Sequence, residues 1–183
     1  MLSITIPAGE YYNSKTNEFV QVKEKNLLLE HSLVSISKWE SKWHKPFLGV
    51  ENKTSEEIID YVRCMTLTQN VPEKDYYRLT GENLKKIEEY IDDPMTATTF
   101  SEDKKPGQAR SRKKVITSEE IYYWMIKANV PMECQKWHLN RLLTLIRVCN
   151  IKDAPSKKMG KKELMNRNRA LNEARKKALN TTG

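Results

Sequence analysis

The spacing of apolar residues changes along the chain, and each change predicts a new element of secondary structure. Ile4 and Ile6 alternate with polar residues, and apolar residues recur at a period of two between Phe19 and Leu29, after a segment rich in turn formers. This alternation predicts a β-hairpin at the N-terminus. From Leu33 the apolar spacing becomes three and four residues, which predicts an amphipathic helix that ends before Pro46.

More helices are predicted in the rest of the first hundred residues. Thr54 and Glu57 have the spacing of a capping box, which predicts a helix start. Pro72 opens a short helical piece, and Thr80 precedes a helix that ends before Pro94. The two longer helices each carry apolar residues on one face, namely Ile58, Ile59, Val62 and Met65 on the first and Leu84, Ile87 and Ile91 on the second.

Helical signals continue in the second half of the chain. Thr117 and Glu120 give a second capping-box pattern, and Pro131 is expected to start one long helix through Trp137 and beyond. The final segment is helical by propensity and basic. Its apolar residues are few and do not form a continuous stripe: Leu164, Met165, Leu171 and Leu179.

These patterns together predict a mainly α fold with a short N-terminal β-hairpin, a compact helical body and a basic C-terminal helix. Trp39, Trp43, Trp124 and Trp137 are expected to be largely buried, because each lies on the apolar stripe of a predicted helix. The expected regions are a β-hairpin with acidic helices over 1–100, an exposed basic loop over 101–116, a helical hairpin packed on the body over 117–155, and a basic helix or tail over 156–183.

Charge is distributed unevenly along the 183 residues, whose net charge is +8. Residues 1–103 hold 12 Lys and Arg against 18 Asp and Glu, a balance of −6, whereas residues 104–183 hold 20 against 6, a balance of +14. Such polarity fits two halves that bind different partners, or copies that attract one another head to tail. It also fits basic residues that only keep helix faces and a tail solvated.

The sequence lacks the common signatures of catalysis and nucleotide binding. It contains no GxxxxGK[ST] phosphate loop, no GxGxxG turn, no HExxH and no GxSxG. Cys134 and His138 are four residues apart, the spacing of a metal half-site, but a buried thiol beside a hydrogen-bonded histidine is the commoner explanation. We therefore expect no catalytic residue, no metal and no cofactor. The other cysteines, Cys64 and Cys149, are widely spaced, which is typical of a reducing compartment.

Two basic segments are candidates for binding. The first is the predicted loop, with Arg110, Arg112, Lys113 and Lys114, which lies just before the aromatic run Tyr122, Tyr123 and Trp124 and could accompany base stacking. The second is the C-terminal helix, which could neutralise phosphates or enter an acidic protein groove. Its candidate binding residues for a protein client are Leu164, Leu171, Arg167, Arg169 and Arg175.

Several longer stretches carry a family resemblance. They are LEHSLVSISKWESKWHKPFL at 29–48, MTATTFS at 95–101, ITSEEIYYWMI at 116–126, WHLNRLLTLIRVCNIK at 137–152 and the closing NRNRALNEARKKALNTTG. Through them the chain resembles the small tail assembly chaperones encoded among the tail-morphogenesis genes of tailed bacteriophages. The resemblance covers nearly the full length and includes no catalytic motif.

The resemblance implies a non-enzymatic protein that keeps the long tape-measure protein of the phage tail soluble while tail proteins assemble round it. It implies a phage-encoded protein of the host cell cytoplasm, with the tape-measure protein and other tail proteins as partners. Self-association is a further expectation, and no membrane-spanning segment is predicted. The alternative is a nucleic-acid-binding or virion structural protein that uses the basic C-terminal half on phosphates.

Overall fold

The chain begins with two antiparallel strand pairs. The computed structural model describes residues 1–13, 17–49, 52–100, 115–154 and 160–180. Strand β1 (Leu2–Ile6) pairs with β4 (Lys25–Leu29), and β2 (Gly9–Asn13) pairs with β3 (Glu18–Val22). The predicted hairpin is confirmed, but each of its two arms is divided into two strands. Pro7 lies at the division, where its lack of an N–H interrupts the hydrogen-bond ladder.

Helices make up most of the remaining described structure, so the predicted mainly α class is confirmed. They are α1 (Leu33–Trp43), α2 (Ser55–Met65), α3 (Glu73–Tyr76), α4 (Gly81–Asp92), α5 (Ser118–Lys127), α6 (Leu139–Asp153) and α7 (Lys161–Leu179). The chain divides into two compact units, Met1–Asn150 and Ile151–Gly183. No helix in the described ranges is long and apolar enough to cross a membrane.

The core of the first unit forms where one face of the β1–β4 pair meets the helices. Ile4 lies opposite Leu27 in the register, and both side chains are buried on that face. The same core includes residues of α1, α2, α4, α5 and α6, so the front and rear parts of this unit share one apolar interior. Burial of this shared apolar surface is the main stabilising contribution to the fold.

The four tryptophans are not buried to the same extent. Trp39 is completely buried, and its indole N–H donates to the Glu57 carbonyl at 2.9 Å. Trp43, Trp124 and Trp137 are only half-buried and pack at the margin of the core. The expectation of largely buried tryptophans is met completely by Trp39, whereas the other three are buried in part against the core.

Local capping motifs explain the starts of two helices. Ser32 and Ser35 cap α1 reciprocally, and Thr54 and Glu57 form the predicted capping box of α2. The capping box predicted at the start of α5 is wrong, because the Thr117 side chain makes no cap hydrogen bond. The carboxylate of Glu40 on α1 instead accepts a hydrogen bond from the first N–H of α5.

The long helix predicted to start at Pro131 is also wrong in its first part. A 3-10 helix occupies Met132–Lys136, Trp137 is extended, and α6 begins only at Leu139. The Leu139 N–H donates to the His31 carbonyl at 2.8 Å. Because the first N–H groups of a helix have no intrahelical acceptor, this bond to a distant segment satisfies a donor that the start of α6 leaves unpaired.

Candidate functional site

The predicted client-binding helix is α7, and its two central leucines lie on one face. Leu164 and Leu171 are seven residues apart, which is two turns of an α-helix or about 10.5 Å along its axis. They are 46% and 45% exposed. Leucines in this arrangement form a narrow apolar strip that a partner surface could cover.

Arginines flank this strip. Arg167, Arg169 and Arg175 are exposed, and Arg169 Nε lies 3.5 Å from Glu173 Oε1 in an ion pair one turn apart. The helix carries seven basic and two acidic residues, and its last turn is basic, which suits the negative end of the helix dipole. The unit therefore presents the predicted leucines and arginines together on an exposed, cationic helix. The basic loop with Arg110, Arg112, Lys113 and Lys114 lies outside the described residues.

An apolar groove between α2 and α4 was not anticipated from the sequence. It has a volume of about 570 Å³. Ile58 on α2 and Leu84 on α4, both assigned from the sequence to the apolar face of a helix, are 42% and 36% exposed at this groove. Its other apolar lining residues are Phe47, Tyr61, Val62, Ile87 and Ile91.

Charged residues of both signs border the groove. Lys53 lies over the Phe47 ring at 4.4 Å from its centroid, and partial burial lowers the pKa of this lysine. Lys85 pairs with Glu89 at 3.9 Å, while Glu88 and Asp92 border the C-terminal part of α4. Because the last turn of α4 contains no basic residue, this end of the groove is negative.

Beneath the groove, a hydrogen-bonded cluster joins α1 to α2. The Tyr61 hydroxyl lies 2.5 Å from His31 Nδ1 and 3.4 Å from Ser35 Oγ, and Ser35 Oγ donates to the Ser32 carbonyl. Which of the two atoms donates in the Tyr61–His31 hydrogen bond depends on the tautomer of the His31 ring. Burial, together with the neighbouring His138, lowers the pKa of His31 to about 3, and burial raises that of Tyr61.

The cluster continues to α4 through His138. His138 Nε2–H donates to the Tyr90 carbonyl at 2.9 Å, and its Nδ1 accepts from the Asn140 N–H at 3.3 Å. The Tyr90 hydroxyl donates to Glu30 Oε1 at 2.7 Å. Burial raises the pKa of Tyr90, and its hydrogen bond to Glu30 adds to this effect. These hydrogen bonds connect α2, α4 and the start of α6 to the segment that leads into α1.

The structure does not complete the half-site suggested by Cys134 and His138. Both ring nitrogens of His138 already form hydrogen bonds, so neither offers a free lone pair beside Cys134. Within the described residues, no group of three or more His, Cys, Asp or Glu side chains is placed to hold a metal ion. Cys64 lies on α2, where burial raises the pKa of its thiol, the opposite of what a nucleophilic cysteine requires.

The aromatic run on α5 does not form a single stacking surface. The Tyr122 hydroxyl donates to Gln135 Oε1 at 2.9 Å, Tyr123 is exposed, and Trp124 lines a groove with Leu143. Successive residues on a helix point about 100° apart, so these three rings face different surroundings.

Glu40 is a structurally important residue that sequence reasoning missed. Its two buried carboxylate oxygens accept from the Phe47 N–H at 2.7 Å and the Ser118 N–H at 2.8 Å. It thus caps α5 from α1, across 78 residues of sequence. A glutamate on a helix that is otherwise polar on one side gives no sequence signal for this function.

Comparison of the chain with protein-family models, curated proteins and solved structures finds no match.

Proposed function

We propose that this protein is a non-enzymatic phage tail morphogenesis protein, a tail assembly chaperone that binds the tape-measure protein in the host cytoplasm during tail assembly. The observation that carries the proposal is α7, an exposed helix on which Leu164 and Leu171 share one face among arginines. A long helical client offers apolar stripes that must be covered before assembly, and an amphipathic helix can cover them.

The leucines and the arginines have separate functions in this proposal. Burying a leucine side chain stabilises a complex by about 1.5 to 3 kcal/mol before the cost of ordering is subtracted. Arg167, Arg169 and Arg175 contribute solubility, steering towards acidic clients and ion pairs at the rim of the contact. Client binding therefore depends more on the two leucines than on any single arginine.

Co-expression of the full chain with the tape-measure protein, followed by affinity pull-down, tests the proposal. We expect the double variant Leu164→Asp with Leu171→Asp to reduce the recovered client at least tenfold, because each change places a charge in an apolar contact. The matched control is Asn166→Asp with Ala170→Asp, which adds the same charge on the other side of α7 and should retain binding. Equal recovery of client by wild type and the leucine variant would contradict the proposal.

Binding to nucleic acid is a second candidate, favoured by the balance of +14 over residues 104–183. If the basic half neutralises phosphates, affinity for random duplex DNA falls by orders of magnitude between about 50 and 200 mM salt. Under the chaperone proposal, DNA binding at physiological salt is micromolar or weaker. Nanomolar DNA binding that persists at physiological salt, with client binding indifferent to the leucines, would favour the nucleic-acid alternative.

A further inference from the structure

The groove between α2 and α4 leaves apolar surface exposed in the first unit. Leu84 and Ile91 are seven residues apart on α4, with Ile87 buried between them, and Ile58 faces them from α2. The groove therefore offers an apolar repeat of about 10.5 Å along α4, and its width is set by two helices. A third helix is the element that such a surface accommodates by ridges-into-grooves packing.

The apolar strip of α7 has the same repeat. Leu164 and Leu171 are also two helical turns apart, so both leucines of one helix match the spacing of the exposed Leu84 and the half-buried Ile91. Arg175 follows Leu171 by one turn on the same face. An apolar contact would thus be followed along α7 by a cation.

The charges of the two elements are complementary. From Gly81 to Asp92, α4 carries four acidic and two basic residues, and Asp93 follows directly. Its C-terminal end combines Glu88 and Asp92 with the negative end of the helix dipole, without a basic residue in the last turn. Helix α7 carries seven basic residues against two acidic ones. The basic helix α7 is therefore electrostatically complementary to this negative end of the groove.

We propose that α7 of one copy lies in the α2–α4 groove of a second copy, so that the protein self-associates through its acidic front and basic rear. This proposal goes beyond the proposed function, since it involves no client. It assigns the groove to a helix of stated sequence and accounts for the opposite charges of the two halves. The contact is heterologous, because different surfaces of the two copies meet.

Sedimentation velocity of the full chain over a range of concentrations tests the proposal in the absence of any client. We expect wild type to sediment faster as concentration rises, and to dissociate as salt is raised from about 50 to 500 mM. Leu171→Asp, which alters α7, and Leu84→Asp, which alters the groove, should each need at least tenfold higher concentration to associate. Asn166→Asp on the other side of α7 is the control and should behave as wild type.

Mixing the two defective variants gives the decisive measurement. The Leu84→Asp chain keeps an intact α7 and the Leu171→Asp chain keeps an intact groove, so one productive contact is restored. A mixture should form a 1:1 complex and nothing larger. If Leu84→Asp loses helical circular dichroism, Glu88→Lys replaces it, because this exposed rim residue can change charge without entering the core.

Three results would overturn the proposal. The first is a wild type that stays monomeric at every concentration, as expected if α7 has another binding site or none. The second is self-association that Leu171→Asp abolishes but both groove variants leave intact, which would place α7 on a different surface. The third is a mixture of the defective variants that remains monomeric.

Discussion

Acidification should destabilise the protein through His31 before most carboxylates titrate. The His31 side chain is 2% exposed and hydrogen-bonded to the Tyr61 hydroxyl. Its ring contacts the His138 ring edge-on, with ring centroids 5.1 Å apart. Its pKa falls from 6.5 to about 3 on folding, because burial and the neighbouring histidine both disfavour the charged ring. Protonating this ring in the folded state would place an uncompensated charge in the core.

The sign of the pH dependence follows from proton counting. Below pH 6.5 the unfolded chain binds a proton at His31 that the folded chain does not bind, so the free energy of unfolding decreases as pH falls. The loss begins near pH 6.5 and continues down to the folded pKa of about 3. Between about pH 7.5 and 5.0 it amounts to about 2 kcal/mol, at 1.36 kcal/mol per pKa unit.

Urea unfolding followed by circular dichroism at pH 7.5 and 5.0 measures this loss. The variant His31→Gln should unfold with a free energy that changes little over the same range, because a side-chain amide can hydrogen-bond to Tyr61 in either direction and does not titrate. The control His44→Asn, which removes an exposed histidine at the C-terminal cap of α1, should retain the loss because His31 and its burial are unchanged.

The pH range is chosen to separate this effect from carboxylates. The Lys45 side chain and the Thr54 cap hold the pKa of Glu57 below its usual range, so the stability due to Glu57 is lost only at lower pH. An unfolding free energy that stays constant or rises between pH 7.5 and 5.0 would refute the reasoning. So would a loss of equal size in His31→Gln.

Three further predictions concern stability and accessibility. Glu40→Ala should lower the free energy of unfolding, measured by urea titration, by about 3 kcal/mol, because it leaves two buried N–H groups unpaired. The control Glu56→Ala, at an exposed position, should change the same free energy by less than about 0.5 kcal/mol. Trp39→Ala should cost about 3 to 5 kcal/mol by the same measurement, since this side chain is completely buried. Limited trypsin digestion should cleave first within 101–114, a prediction from the sequence alone, and first cleavage within 135–150 would contradict it.

The positions of most elements could be predicted from the sequence, because the signals are local. Alternation of apolar residues marks β1, and apolar residues spaced three and four apart mark α1, α2 and α4. The capping box at the start of α2 involves two residues one helical turn apart, so its pattern is visible in the local sequence. The leucine spacing on α7 is equally local, and its exposure was expected from the scarcity of apolar residues around it.

The tertiary structure alone decided the features that depend on distant partners. The cap of α5 comes from Glu40 rather than from a neighbouring residue, and α6 starts only at Leu139, whose N–H bonds to the distant His31 carbonyl. Ile58 and Leu84 lie in apolar patterns that fit burial, yet no described element covers them fully, and they border a groove. Periodicity shows which side chains share a face, but only packing determines whether another element covers that face.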